Sequence, residues 1–255
     1  MICVGTCGYS YKDWIGPFYP EGTKDSQMLE YYSTNMDFVE LNSSFYHMPG
    51  LKLFDGITKK TPDDFKVAVK LYQGFTHLRD SDSAAADSFM YSVKPLAEAK
   101  KLMCLLAQFP YSFHFNAQNM DYMKRMRSWF KDVPLNVEFR NQAWISEHVM
   151  KTLKAEDIGY VCVDEPHIKG LIKNVVAATS KIAYLRLHGR NAEKWYEGEG
   201  SERYDYRYST QELAQWVPRI KMLDSDSMIT VVAFNNHPKG KAVENARMML
   251  QLLKK

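Results

Sequence analysis

Charged and amide side chains recur at alternate positions where short apolar segments end. In Leu135-Asn-Val-Glu-Phe-Arg140 a period of two sends Leu135, Val137 and Phe139 to one face and Asn136, Glu138 and Arg140 to the other. The same phase groups Tyr184, Arg186 and His188 in Ala183-Tyr-Leu-Arg-Leu-His188, and Glu40 with Asn42 in Val39-Glu-Leu-Asn42. Lys70, Gln108 and Asp164 end three further segments on the same side, and Phe234-Asn-Asn236 ends another with either Asn235 or Asn236 facing that way.

Glu40, Glu138 and Asp164 offer the pair of carboxyl groups, held in different protonation states, that hydrolysis of a glycosidic or phosphodiester bond requires. His188 is placed to move protons near neutral pH. Arg140, Arg186 and Lys70 among these carboxylates suit a sugar- or phosphate-bearing ligand, with Arg190 beside His188 positioned to clamp a phosphate. The opposing reading is a buried network in which Arg and Glu neutralise one another. An inward Lys70 beside Glu40 likewise reads as an ion-pair partner before it reads as a Schiff-base amine. His47 and His77, with Glu138, Asp164 and His188, form a further candidate set for a divalent metal of mixed nitrogen and oxygen ligands, although no short His spacing supports it.

Parallel strands carrying such residues at their ends need a frame. Eight apolar segments rich in β-branched residues occur at Ile2–Thr6, Phe38–Asn42, Phe65–Leu71, Met103–Phe109, Leu135–Phe139, Tyr160–Asp164, Ile182–His188 and Met228–Phe234. Between them helical periodicity marks Met28–Asn35, Ala84–Lys101, Asn119–Lys131, Ser146–Glu156, Thr210–Leu223 and Ala242–Leu253. Ser209-Thr210-x-Glu212 reads as a helix start, and Pro134 and Gly159 stand where helix should give way to strand. Strand followed by helix throughout, eight times, predicts a single α/β domain over 1–255: a (β/α)8 TIM-type barrel whose polar residues meet at the C-terminal mouth.

Two connections at that mouth are long, Gly8–Ser26 after the first strand and Gly189–Ser209 after the seventh, against about 2 to 6 residues in ordinary α/β units. Both are aromatic. Tyr9, Tyr11, Trp14, Phe18 and Tyr19 occupy one; Trp195, Tyr196, Tyr204, Tyr206 and Tyr208 occupy the other. Such rings either stack on sugars or bases or pack the loops onto the barrel.

The ordered motifs resemble the domain of unknown function family 72, or YecE-like family, from end to end. The resemblance rests on Gly5-Thr-Cys-Gly-Tyr-Ser-Tyr11 with Trp14-x-Gly16-x-Phe18-Tyr-Pro20, Val39-Glu-x-Asn42-x-x-Phe45-Tyr46 with Pro49, Lys70 with Thr76-His77, and Gln108-Phe-Pro110. It continues through Glu138-Phe-Arg140 with Trp144, Asp164-Glu-Pro166, Tyr184-x-Arg186-x-His188-Gly-Arg-Asn191 with Trp195, and Phe234-Asn-Asn236. The resemblance implies the (β/α)8 barrel and no established reaction.

Composition narrows the partners. A formal net charge of +3 lacks the dense basic patches of a protein that binds nucleic acid by charge alone. No basic leader precedes an apolar stretch and no run approaches the ~18 apolar residues of a membrane span, so a cytoplasmic protein is expected. Cys3, Cys7, Cys104 and Cys162 lie singly in apolar segments, as reduced thiols do. Gly-x-Gly-x-x-Gly, phosphate-loop and Gly-x-Ser-x-Gly motifs are absent, so no nucleotide cofactor is indicated. The expected activity is that of a hydrolase or isomerase on a polar or anionic small molecule. Asn191 and Trp195 are further candidates for contact with that ligand. The alternatives are a nucleic-acid-binding protein without catalysis, using the aromatic loops and Arg190, and a scaffold or regulatory protein.

Overall fold

The structure, a computed structural model, describes residues 1–254. Eight parallel strands form one closed sheet in sequence order: β1 (Ile2–Cys7), β2 (Phe38–Leu41), β3 (Lys66–Lys70), β4 (Leu102–Gln108), β5 (Leu135–Glu138), β6 (Ile158–Asp164), β7 (Ile182–Leu187) and β8 (Ile229–Phe234). Gly5 of β1 lies opposite Ala233 of β8 and closes the ring. Around it run α1 (Asp25–Ser33), α2 (Ser43–Tyr46), α3 (Leu51–Lys60), α4 (Ser83–Glu98), α5 (Ala117–Trp129), α6 (Glu147–Ala155), α7 (Thr210–Ser225) and α8 (Lys241–Leu253). This is a TIM-type (β/α)8 barrel. Among the described residues no helix is long and apolar enough to cross a membrane.

One connection departs from the expected alternation. Between β2 and β3 the helix the alternation requires is α3, which buries Phe54 and Ile57. Between β6 and β7 there is no helix. There an extended strap covers the sheet: Val175 to Ala178 pack on the core, while Thr179 accepts the Tyr160 amide at 2.7 Å and donates to the Ile158 carbonyl at 2.7 Å. Thr179 thereby satisfies two buried backbone groups of β6. At the start of α7, Ser209 and Glu212 cap one another's amides, as their spacing predicts.

Strand register fixes which side chains enter the barrel. In β6 the pairing Val163 with Arg186 and Asp164 with Leu187 turns Val163 inward and Asp164 outward. Gly159 is therefore an inward residue within β6, and not the turn expected from the sequence. A Cβ there would stand 2.1 Å from Asn136 Nδ2, which donates to the Ile182 carbonyl at 3.0 Å. Gly159→Ala is expected to overpack this layer and lower the unfolding free energy by about 1–3 kcal/mol in denaturant titration. An unchanged midpoint would show that Asn136 has room to move.

Candidate functional site

A guanidinium occupies the centre of the barrel. Arg186, 2% exposed, comes from β7 and meets Glu40 from β2 through Nε at 2.9 Å and Nη2 at 2.7 Å. Its Nη1 donates to Glu138 Oε2 from β5. The Tyr184 hydroxyl, one turn of the pleat below, donates to Glu40 at 2.7 Å. Glu138 also faces Arg140, whose Nε stands 2.6 Å from Oε1 as an ion pair out of hydrogen-bonding line. Burial would raise the Glu138 carboxyl, but Arg140, Arg186 and His188 override it and hold it well below the usual range. Glu138 is a fixed anion, with no proton to give as a general acid.

His188 lies at the rim of this cluster. Its Nε2 faces Arg140 Nη2 at 3.2 Å, and the Asn235 amide stands 3.0 Å from Nδ1. Burial, then Arg140, lowers its pKa to about 3 against the pull of Glu138. A neutral imidazole keeps one ring nitrogen free to accept an N–H, from Arg140 at Nε2 or from the Asn235 amide at Nδ1. His188 is thus packed against Arg140 as a neutral group, whereas the sequence suggested a side chain titrating near neutral pH.

Above the cluster opens a cavity of about 520 Å³. Tyr9, Tyr11, Asn42, Phe45, Tyr46, Lys70, Gln108, Arg140, Arg186, Tyr204 and Asn235 contribute to its wall. Ser44 holds α2 against β3 by donating to the Lys70 carbonyl at 2.6 Å, which brings the Phe45 ring over Lys70 Nζ at 4.2 Å. Nζ makes one hydrogen bond, to Gln108 Oε1 at 2.9 Å, and among the described residues no carboxylate oxygen lies within 4.0 Å of it. The expected Lys70–Glu40 pair therefore does not form, because Arg186 holds both oxygens of Glu40. Burial, then Arg186, lowers the Lys70 ammonium to about 8, with Glu40 and Glu138 opposing. Nearby, the Asn42 side-chain oxygen is buried and has no hydrogen-bond partner.

With this geometry in place, comparison with known proteins is direct. The model of the family described as "Protein of unknown function DUF72" matches residues 3–255. The chain belongs to the DUF72 family. The UPF0759 protein YunF of Bacillus subtilis is 35% identical over 270 residues, covering 99% of this chain and 95% of the relative. A DUF72 family protein of Thermotoga maritima superposes with a TM-score of 0.93 at 39% identity over 100% of both chains. One from Enterococcus faecalis gives 0.89 at 28% identity, over 100% of this chain and 96% of that one. None of these names states an activity.

Several polar residues of this DUF72 barrel lie elsewhere than the sequence suggested. Asp164 points out between β6 and α7, where Arg190 donates at 2.8 and 2.6 Å, Trp216 at 2.7 Å and Tyr208 at 3.0 Å. Arg190, also 3.2 Å from Glu212, is a loop anchor and faces no phosphate site. Asn191 donates to the carbonyls of Glu202 and Asp205 within the same loop. Asn236 likewise turns outward to Tyr206 and Asn245, which leaves Asn235 as the inward one. Trp14 and Trp195 are buried packing rings; Trp14 donates to the His237 carbonyl at 2.7 Å and Trp195 packs edge-on to Tyr204. Only Tyr9, Tyr11 and Tyr204 of the two aromatic loops line the cavity. The metal set does not assemble either. His47 is exposed, Asp164 faces away, His77 leans on Phe45 and Thr76, and among the described residues no three His, Cys, Asp or Glu side chains converge as ligands.

Glu165 was missed. It is the inward carboxyl of β6, accepting from Arg140 at 3.1 Å and from the Ile172 amide at 3.0 Å, and burial raises it to about 7 although Arg140 pulls the other way. Both phases of Ile158-Gly-Tyr-Val-Cys-Val are apolar, so alternation alone gave no direction; the inward Gly159 was the available signal. Replacing Glu138 by Gln keeps its shape and leaves Arg186 and Arg140 short of a buried anion. Glu138→Gln is expected to lower the unfolding free energy by about 3–5 kcal/mol in chemical denaturation. Wild-type stability in that variant would contradict the network.

Proposed function

We propose that the barrel mouth binds one small polar molecule carrying an anionic group and hydroxyls, of the sugar-phosphate class. The observation that carries this reading is Lys70: a half-buried ammonium that lines the cavity, held by a neutral amide and lacking a carboxylate partner. A cation partly withdrawn from water without a counter-ion attracts an anionic ligand, which supplies the missing charge. Arg140 lines the same cavity, and the unpartnered Asn42 oxygen suits a ligand hydroxyl.

The same geometry argues against hydrolysis by paired carboxylates. Glu40 and Glu138 are both engaged by Arg186, and Asp164 lies outside the barrel. Glu165, raised towards neutrality, is buried beside Arg140 and does not line the cavity, so it supports Arg140 from behind. A cup of this volume fits a single small ligand. Buried Trp14 and Trp195 leave the nucleic-acid reading without most of its stacking surface. Four buried free cysteines fit a cytoplasmic setting.

Binding of sugar phosphates is measurable by isothermal titration calorimetry. Lys70→Met is expected to weaken it by roughly tenfold or more, the scale of one charge-assisted hydrogen bond. Above pH 7 the phosphate is already largely dianionic, whereas Lys70 loses its proton as pH rises through about 8. Affinity in the wild type should therefore be highest below pH 8 and fall above it, with Arg140 and Arg186 charged throughout. Affinity indifferent both to Lys70→Met and to pH between 7 and 9.5 would refute the reading.

A further inference from the structure

Lys70 has the surroundings of a nucleophile as well as those of a counter-ion. It ends β3 at the C-terminal face of the barrel, where reacting groups of this fold gather. Its Nζ lies between the Phe45 ring, 4.2 Å away, and Gln108 Oε1, 2.9 Å away, and it lines the cavity. Gln108 cannot itself take up the Nζ charge, and its amide nitrogen is tied to the Phe109 carbonyl at 2.8 Å, so its oxygen is fixed towards Lys70. The carboxylates that would hold the ammonium in its charged form are taken by Arg186. A partly desolvated amine beside the fixed cations Arg140 and Arg186 is the arrangement that activates lysine for attack on a carbonyl.

We propose that Lys70 forms an imine with the carbonyl carbon of a small aldehyde or ketone that also carries a phosphate or carboxylate. This rests on the anion-binding reading of the mouth. The neutral amine attacks the carbonyl carbon, forming the C–N bond while one amine proton passes to the oxygen. A second proton, from solvent at the open mouth, lets that oxygen leave as water as the C–O bond breaks. The nitrogen keeps one hydrogen and becomes an iminium, so no oxidant or reductant is required. The positive charge stays in place, and together with Arg140 it continues to hold the anionic group. With the Lys70 pKa at about 8, a usable share of the amine is free near neutral pH. The iminium then serves as an electron sink that acidifies the neighbouring C–H, the chemistry of isomerisation or carbon–carbon cleavage.

The test is reductive trapping. The intact chain is incubated near pH 7.5 with dihydroxyacetone phosphate or with pyruvate, in the presence of cyanoborohydride, and the adduct is located by peptide mass spectrometry. The expected result is one reduced adduct per chain on Lys70, formed about tenfold or more faster than on exposed lysines. It should be absent from folded Lys70→Arg and Lys70→Met, with Lys70→Arg retaining calorimetric binding of glycerol 3-phosphate. An adduct spread over surface lysines, or none with either carbonyl compound, overturns the proposal. If glycerol 3-phosphate binds the wild type under those conditions, the anion-binding reading survives that failure; if it does not bind, both fall.

Discussion

The mouth of this barrel is organised by the burial of a single guanidinium. Taking Arg186 out of water carries a desolvation cost of several kcal/mol, which only closely placed anions offset. Glu40 and Glu138 supply them from β2 and β5, and the Tyr184 hydroxyl satisfies a remaining lone pair on Glu40. Three strands that are not neighbours in the sheet are thereby tied across the barrel axis. The consequence is chemical as well as mechanical. Both inner carboxylates are committed to structure, which leaves Lys70 as the cavity-lining charge without a carboxylate partner.

A second tether sits on the outside of the sheet. Asp164 gathers Arg190, Tyr208 and Trp216, and the Tyr208 hydroxyl in turn accepts the Gly189 amide at 2.9 Å. This fixes both ends of the long connection between β7 and α7, whose turn at Tyr204 reaches the cavity. In the neighbouring loop after β1, Tyr11 donates to the Cys7 carbonyl at 2.7 Å and stacks on His237 with centroids 4.5 Å apart. The two aromatic loops are thus mostly self-packed, and each presents few rings to a ligand. Their burial is consistent with walls that keep a small cup in shape.

Most of the frame was legible in the sequence, because parallel strands and amphipathic helices leave different periodicities. Inward placement of Glu40, Glu138, Arg140, Arg186 and His188 followed from strands in which one face is wholly apolar. The reading failed where that contrast disappeared. In β6 both faces are apolar, so Asp164 was assigned inward and Glu165 passed over. The strap between β6 and β7 replaces a helix through side-chain bonds from Thr179 that no periodicity records. Pairing among charges was also out of reach, since which carboxylate Lys70 meets depends on Arg186 arriving from the far side of the barrel, 116 positions later in the chain.

Arg186 absorbs the inner carboxylates and leaves the Lys70 amine without a counter-charge. The direct measure of this is the titration of the Lys70 side chain itself, followed by NMR of lysine labelled at the ε-carbon and nitrogen and assigned through Lys70→Arg. A midpoint near pH 8 is expected, well below the roughly 10.4 of an ordinary lysine. A midpoint at or above that ordinary value would mean that a carboxylate pairs with Lys70 after all, and would contradict the account.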